Sequence, residues 1–284
     1  MAFYTNNRYF KNDIINYFNE IGWKHVNLNN SDRTELYYDI DHFDKRCNDC
    51  KIVNQIDNMN ILGNKKEQYN SILNNIDNLP YYIPKTYSFS KKNIITTKDK
   101  LINNKLYIIK PENGTFRNGV KVVKNYRELE DWVLGTKYNE WIMQDYVSSP
   151  LLYDKKKFHI RIYAIIVMDS KKLKVYVYDE GFMYFSIKNY DIEKYFDNNI
   201  QLSGESSKNQ VKLFPKNFKN NYGNDNYDSV KNQINNLIKN TIYVVKDKLT
   251  CPNILNKNYK CFKMVGYDIL IDSKFKAHLL EINV

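Results

Sequence analysis

The stretch Val265-Gly266-Tyr267-Asp268-Ile269-Leu270-Ile271-Asp272, then Ser273-Lys274, then Phe275-Lys276-Ala277-His278-Leu279-Leu280-Glu281-Ile282-Asn283, reads as two apolar strands joined by a tight turn. With Ser273-Lys274 as a two-residue turn, Asp272 pairs with Phe275 and Asp268 with Leu279. Side chains alternate faces along a strand, so Asp268, Leu279, Glu281 and Asn283 share one face. Glu281 is then a diagonal neighbour of Asp268, about 7–8 Å away. Two carboxylates and a carboxamide are hard oxygen donors that suit Mg2+, which takes one or two carboxylates and fills its shell with water and phosphate oxygens. Carboxylates in apolar strands are costly to bury unpaired, and a metal bridged to phosphates would neutralise them. The same alternation describes an edge strand with its polar face in water. The hairpin alone leaves both readings open.

Cations stand where a second half of such a site would need them. Lys110 ends the apolar strand Leu106-Tyr107-Ile108-Ile109-Lys110, where a charge is unexpected unless it meets a partner. The following loop, 111–119, carries Gly114, Arg117 and Gly119. Glycine lets backbone N–H groups approach a phosphate, and arginine adds charge-assisted hydrogen bonds. The P-loop pattern is absent, and a glycine-bearing hairpin loop is also an ordinary turn. In Lys157-Phe158-His159-Ile160-Arg161, positions 157, 159 and 161 alternate to one face, which lines one side of an apolar strand with two cations and a histidine. A basic exposed face has the same appearance.

Around these strands the pattern is mixed. Residues 8–22 have helical spacing through Phe10, Ile14, Ile15, Phe18 and Ile21, with Gly22 as a stop. A short buried strand is expected within 51–60, a helix over 65–76, and extended chain over 79–86 because of its prolines. Strands follow at 106–110, 120–124 and 141–147, with a helix from Asn125 to about Leu134 begun by a capping-box pattern with Glu128. Strands at 158–168 and 174–178 lead into Asp179-Glu180-Gly181 as a hairpin turn and a strand at 182–186. Residues 203–228, polar and turn-rich, read as a loop, and 228–247 as a helix. This order implies an α+β fold with three parts: 1–85, 86–147 and 148–284.

Bulk composition narrows the partners. The 284 residues carry 43 Lys+Arg against 32 Asp+Glu, a net charge of +11, which favours nucleotides, nucleic acid or an acidic protein tail. Nucleic acid is disfavoured because the abundant aromatics alternate within strands as core residues do. No apolar run reaches the length of about 18 residues that spans a membrane. Met1 to Phe10 lacks an apolar signal core, so a cytoplasmic location is expected. Cys47-x-x-Cys50 could hold zinc or act in redox chemistry, but Cys251 and Cys261 lack a matching spacing, so four reduced thiols are expected.

Taken together, the blocks from about Lys51 to Asn283 resemble the tubulin–tyrosine ligase-like family. The carriers are residues 51–73 (KIVNQIDNMNILGNKKEQYNSIL) with 83–89, the lysine strand and loop IIKPENGTFRNGVKVV, the segment WIMQDYVSSPLL, then KFHIRIYAIIV, VYVYDEGFMYFS, and VGYDILID with LLEIN. The resemblance implies an ATP-grasp fold and a ligase that joins an amino acid (Glu, Gly or Tyr type) to a protein carboxylate through an acyl phosphate. ATP and Mg2+ are the implied cofactors. A free amino acid and an acidic tail such as tubulin's are the implied partners. By position, Lys110, Arg117 and Gly119 would meet phosphates, and Gln144, Tyr146 and Val147 the adenine. Lys157, His159 and Arg161 would bind nucleotide, with Arg161 on the γ-phosphate or the acyl phosphate, and Asp268, Glu281 and Asn283 would hold Mg2+. Lys110, Arg161 and Glu281 would be catalytic. One of Lys65 and Lys66 matches a further nucleotide-contacting lysine. The chain departs from the pattern at His159, where the family has Asp, at Tyr184, where an Arg that binds the amino acid is expected, and at Gln201-Leu202-Ser203-Gly204. Two other readings therefore stand beside the first: a nucleotide binder without ligase activity, and a ligase with a substrate other than tubulin.

Overall fold

The computed structural model of the chain describes residues 2–5, 11–25, 36–38, 50–73, 83–114, 117–169, 172–204, 211–252 and 259–284. In chain order the elements begin with β1 (Ala2–Thr5), α1 (Lys11–Glu20), β2 (Lys24–His25), β3 (Leu36–Tyr38), β4 (Ile52–Val53), α2 (Asn60–Gly63) and α3 (Lys65–Gln68). Next come β5 (Thr86–Ser90), β6 (Tyr107–Pro111), β7 (Lys121–Val123), α4 (Tyr126–Leu134), β8 (Glu140–Asp145) and β9 (Leu152–Tyr153). The rest are β10 (Lys156–Asp169), β11 (Lys172–Phe185), α5 (Asn198–Gln201), β12 (Val211–Leu213), α6 (Phe214–Tyr222), α7 (Asn224–Val245), β13 (Lys260–Ile271) and β14 (Ala277–Asn283). No helix among the described residues is long and apolar enough to cross a membrane.

The chain forms two compact units. The first takes residues 1–59, 164–176 and 246–265. Its parallel ladder runs β2-β1-β3-β4 and continues onto the start of β13, with Cys261 beside Val53. The helix α1 ends as its composition predicts: Gly22 takes φ +83°, and Trp23 N–H donates to the Phe18 carbonyl, which closes the last turn. Residues 8–10 of that expected helix lie outside the described residues. In this unit Cys251 and Cys261 form a disulfide with Cα atoms 5.7 Å apart, and Cys50 is disulfide-bonded as well. This corrects the expectation of four reduced thiols. The ten-residue separation of Cys251 and Cys261 says nothing of proximity, which is created when Thr250 bridges to Asp57 and β13 returns beside β4. Cys47 lies outside the described residues.

The second unit takes residues 60–163, 177–245 and 266–284 and carries every residue of the site described below. One of its sheets is antiparallel, in the order β5-β8-β6-β7. Its inner face buries Tyr107, Ile109, Val123, Trp141 and Met143 against Leu129 and Val133 of α4 and Ile94 of the 3-10 segment 91–100. Asn125 caps α4 as expected by accepting from Glu128 N–H, while the Glu128 carboxylate reaches back to Lys124 N–H. In the other sheet β12, β11, β10 and β13 follow one another, with β14 on β13 and β9 on β10. The long helix α7 buries Val230, Ile234, Leu237, Ile238, Thr241, Ile242 and Val245 at helical spacing, and the Thr241 hydroxyl meets the Tyr267 hydroxyl at 2.9 Å.

Three sequence expectations are corrected here. Asp179-Glu180-Gly181 is not a turn; it lies inside β11. Gly181 is needed because a Cβ there would stand 2.4 Å from Ile162 Cδ1 and 2.7 Å from the Arg161 carbonyl oxygen. Residues 203–228 contain β12, α6 and the start of α7. Phe214, Phe218 and Tyr222 form a stripe on α6, with ring centroids 5.2 and 4.6 Å apart. The β13–β14 turn spans 272–276: the Asp272 carboxylate accepts from Lys274 and Lys276 N–H at 2.9 Å, and Phe275 takes φ +58°. A bulge at Leu280 then sets Asp268 opposite Glu281 and Ile269 opposite Leu279.

If Gly181 is present for lack of room, Gly181→Ala should destabilise the protein by about 1–3 kcal/mol through overpacking against backbone. A urea unfolding midpoint equal to that of the unaltered protein would refute this.

Candidate active site

A cavity of about 950 Å³ opens in the second unit. That is the upper part of the size range of ligand sites, roughly 300–1,000 Å³. β6 contributes Lys110, β8 Gln144, and the residues just after β8 Tyr146 and Val147. β10 contributes Lys157, His159 and Arg161, β13 Asp268, β14 Glu281 and Asn283, and the loop after β6 Arg117. Of the residues expected from the sequence, Gly119 alone does not line the cavity. It takes φ +78°, a Cβ there would meet Pro111 and Tyr138, and its carbonyl accepts from Trp132 Nε1 at 2.8 Å. The glycine of that loop that faces the cavity is Gly114.

Both interior lysines are buried. Lys110 Nζ donates to Gln144 Oε1 and to the Leu280 carbonyl, each at 3.1 Å. Gln144 Nε2 in turn donates to Thr86 Oγ1. Lys157 Nζ donates to the Tyr146 hydroxyl at 2.7 Å, and that hydroxyl donates to Gln201 Oε1. Neither lysine has a carboxylate within ion-pair distance among the described residues. Burial therefore pulls Lys110 down to about 8, with Glu281 opposing, and Lys157 down to about 7, with the Lys110 charge adding to the effect.

The carboxylates are arranged differently. Asp268 is buried and receives the Arg161 guanidinium as a fork, Nε to Oδ1 at 2.7 Å and Nη2 to Oδ2 at 2.5 Å. Asn283 Nδ2 adds a bond at 3.2 Å, and His159 Nε2 stands 3.6 Å away. Burial pushes the Asp268 carboxyl upward, but His159 and Arg161 outweigh it and hold the group below the ordinary range. Burial moves His159 down. Its Nδ1 meets Ser203 Oγ at 2.8 Å, and its ring stacks on Tyr184 with centroids 5.3 Å apart. Glu281 is half-exposed and meets Lys65 at 3.6 Å.

Of Lys65 and Lys66, it is Lys65 that lines the cavity. Asn64 caps α3 by accepting from Lys66 and Glu67 N–H, which sends Lys65 into the cavity, where its Nζ donates to the Gly114 carbonyl at 3.1 Å. Lys66 turns instead to Glu140. Asn64 and Asp145 also line the cavity. No motif marks them, since both arrive through the geometry of neighbouring residues.

The donor set fits a magnesium nucleotide. No cluster of three His, Cys, Asp or Glu side chains suited to a metal occurs among the described residues. Asp268, Glu281 and Asn283 nevertheless supply the one or two carboxylates that Mg2+ takes when phosphate oxygens complete its shell. Two buried ammonium groups without carboxylate partners suit those phosphates.

Residues 43–284 match the sequence profile of the tubulin-tyrosine ligase family. The chain is 29% identical over 212 residues to a tubulin polyglutamylase of Mus musculus, which covers 66% of this chain and 25% of that protein. It is 27% identical over 241 residues to a tubulin polyglutamylase of Xenopus tropicalis, 71% of this chain and 25% of that protein. With a tubulin glycylase of Tetrahymena thermophila the identity is 30% over 192 residues, 63% of this chain and 18% of that protein. The chain thus spans a quarter or less of the length of these relatives. With most of its length matched and the expected strands in place around one cavity, the chain belongs to the tubulin-tyrosine ligase family and has that family's α+β, ATP-grasp fold.

Proposed function

We propose that this chain is an ATP-dependent carboxylate–amine ligase that adds an amino acid of the Glu, Gly or Tyr type to a protein carboxylate. An acidic tail such as tubulin's is the acceptor, in keeping with relatives named as tubulin polyglutamylases and a tubulin glycylase. The observation that carries the proposal is the pairing, across one cavity, of Lys110 and Lys157 without carboxylate partners and of Asp268, Glu281 and Asn283 as oxygen donors. Residues 86–147 would form the lid and 148–284 the lobe that carries the metal ligands, with 1–85 as an N-terminal subdomain. A cytoplasmic place of action follows from the acceptor. The Cys251–Cys261 disulfide would there face reducing conditions.

In this reading Gln144, Tyr146 and Val147 hold the adenine, and Lys110, Lys157 and Arg117 hold phosphates. Arg161 spends Nε and one Nη2 hydrogen on Asp268 and keeps three N–H donors for the transferring phosphoryl group. Asp268, Glu281 and Asn283 would hold Mg2+, which when bound would supply positive charge against that group. The acceptor carboxylate takes the γ-phosphoryl group from ATP, with ADP as the leaving group, and becomes an acyl phosphate; the amine of the amino acid then displaces phosphate from it and loses a proton as the amide forms. Closure by the lid protects the acyl phosphate from water.

A second reading, nucleotide binding without ligation, is favoured by one observation. Two of the departures from the family pattern, His159 and Tyr184, stack on each other inside the cavity. Incubation with Mg-ATP, mixed amino acids and tubulin, read by intact mass, separates the two. An increment of one or more amino-acid residues establishes ligation, and nucleotide binding with no increment overturns it.

Glu281→Gln should lower ligation by about a hundredfold or more, since it removes charge at the transferring group. Ligation retained by that variant would sink the metal assignment.

The lysines make a pH-dependent statement. The Lys157 value in the fold, about 7, lies below the ordinary 10.5, so the folded state releases its proton first. The burial penalty is full below about pH 7, and stability is regained as pH rises from there toward 10.5. A polyanion favours the charged form, so nucleotide affinity should fall as pH rises through the Lys157 and Lys110 values of about 7 and 8. Calorimetric titrations in buffers of different ionisation enthalpy should show proton uptake on binding, and less of it in Lys157→Met. No proton uptake would contradict the assignment of these lysines to phosphate.

A further inference from the structure

One edge of the β5-β8-β6-β7 sheet gathers lysines in an unusual way. Lys85 Nζ lies 5.3 Å and Lys100 Nζ 4.8 Å from the centroid of a single ring, that of Tyr87. Lys105 Nζ lies 5.4 Å from the Tyr107 centroid and pairs with Asp145 at 2.6 Å. Hydrogen bonds tie the group together: Asp145 N–H donates to the Lys85 carbonyl, the Tyr107 hydroxyl donates to the Lys100 carbonyl, and Ile102 N–H donates to that hydroxyl. Lys85 and Lys100 are exposed and take part in no ion pair among the described residues.

A tyrosine ring attracts an ammonium through its quadrupole but does not cancel its charge, as a carboxylate would. The rings therefore hold three cations close together, with one carboxylate among them, and leave most of the charge for an external anion. Seating the lysines in advance also reduces the side-chain entropy lost when they are fixed by a partner. We propose that this edge is a docking surface for an acidic polypeptide. The flanking segment 91–105 reads KKNIITTKDKLINNK, five lysines and one aspartate, with Ile95 and Ile102 exposed among them. Exposed isoleucines beside lysines suit a polypeptide. A nucleic acid would want aromatic faces for its bases, and the faces here carry ammonium groups. Pro84, next to Lys85, and Asp145, the partner of Lys105, both line the catalytic cavity. A chain held along this edge therefore reaches the rim of the site. Naming that chain as the acceptor rests on the ligase reading; the surface itself does not.

The test is binding of a fluorescently labelled oligoglutamate peptide to the full chain, followed by anisotropy at low and physiological ionic strength. The combined substitution Lys85→Gln, Lys100→Gln and Lys105→Gln should weaken binding by about tenfold or more, with nucleotide affinity unchanged. Tyr87→Leu, which keeps every charge but removes the seat of two lysines, should weaken it by a smaller factor. The same number of charges removed elsewhere, at Lys172, Lys174 and Lys188, should leave binding within about twofold. Equal losses in the two triple variants, or none in either, would overturn the surface. So would an oligonucleotide of matched charge that binds this edge more tightly than the peptide. If the peptide binds as expected while the unaltered chain ligates nothing, the ligase reading fails and the surface stands.

Discussion

Lys110 ends an apolar strand, is buried, and still carries an ammonium group with three donors. Its two bonds go to Gln144 on the neighbouring strand of its own sheet and to the Leu280 carbonyl on the other sheet of the unit. A buried cation with less than this would be several kcal/mol too costly to keep. The bond to Leu280 exists because of the bulge at that residue, and the bulge also sets Glu281 opposite Asp268. One unpaired residue in β14 thus positions an acceptor for the interior lysine and brings the two carboxylates face to face. The carboxylates are left with different loads: Asp268 carries the arginine fork, while Glu281 keeps its oxygens comparatively open.

The same features explain what could be read from the sequence. A charge inside an apolar run is visible without a structure, and that is how Lys110, Lys157, Arg161, Asp268 and Glu281 stand out; the structure brings all five to one cavity. Register was not visible. Leu279 and Leu280 are both apolar, so nothing in the pattern announces that one of them is an extra residue. A simple two-residue turn misplaces Asp268 by the full shift that the longer turn and bulge introduce. Gly119 and Gly114 pose the same problem in small, because two glycines in one loop look alike until Pro111 and Tyr138 are seen pressed against one of them.

Other losses come from composition. The segment 203–228 is rich in asparagine and lysine and reads as a loop. Its helix is specified by Phe214, Phe218 and Tyr222, spaced four apart, with Phe214 and Phe218 packed against Tyr227. Few apolar residues are needed when each is a large aromatic. The disulfide was beyond any local reading, since proximity of Cys251 and Cys261 depends on β13 pairing with β4, more than two hundred residues distant in sequence.

The departures from the family pattern are not scattered. His159 lies two residues from Lys157 and from Arg161 on one face of β10, and it touches both other departures, Tyr184 by stacking and Ser203 by a hydrogen bond. Arg161 also lies over the Tyr184 ring, 5.6 Å from its centroid. The cluster leaves the interior lysines and the carboxylate pair as they are. It forms the wall beside them, which presents an imidazole, a phenol and a hydroxyl. The interior lysines with the carboxylate pair, and the wall made by His159, Tyr184 and Ser203, are therefore separate parts of one cavity in this chain.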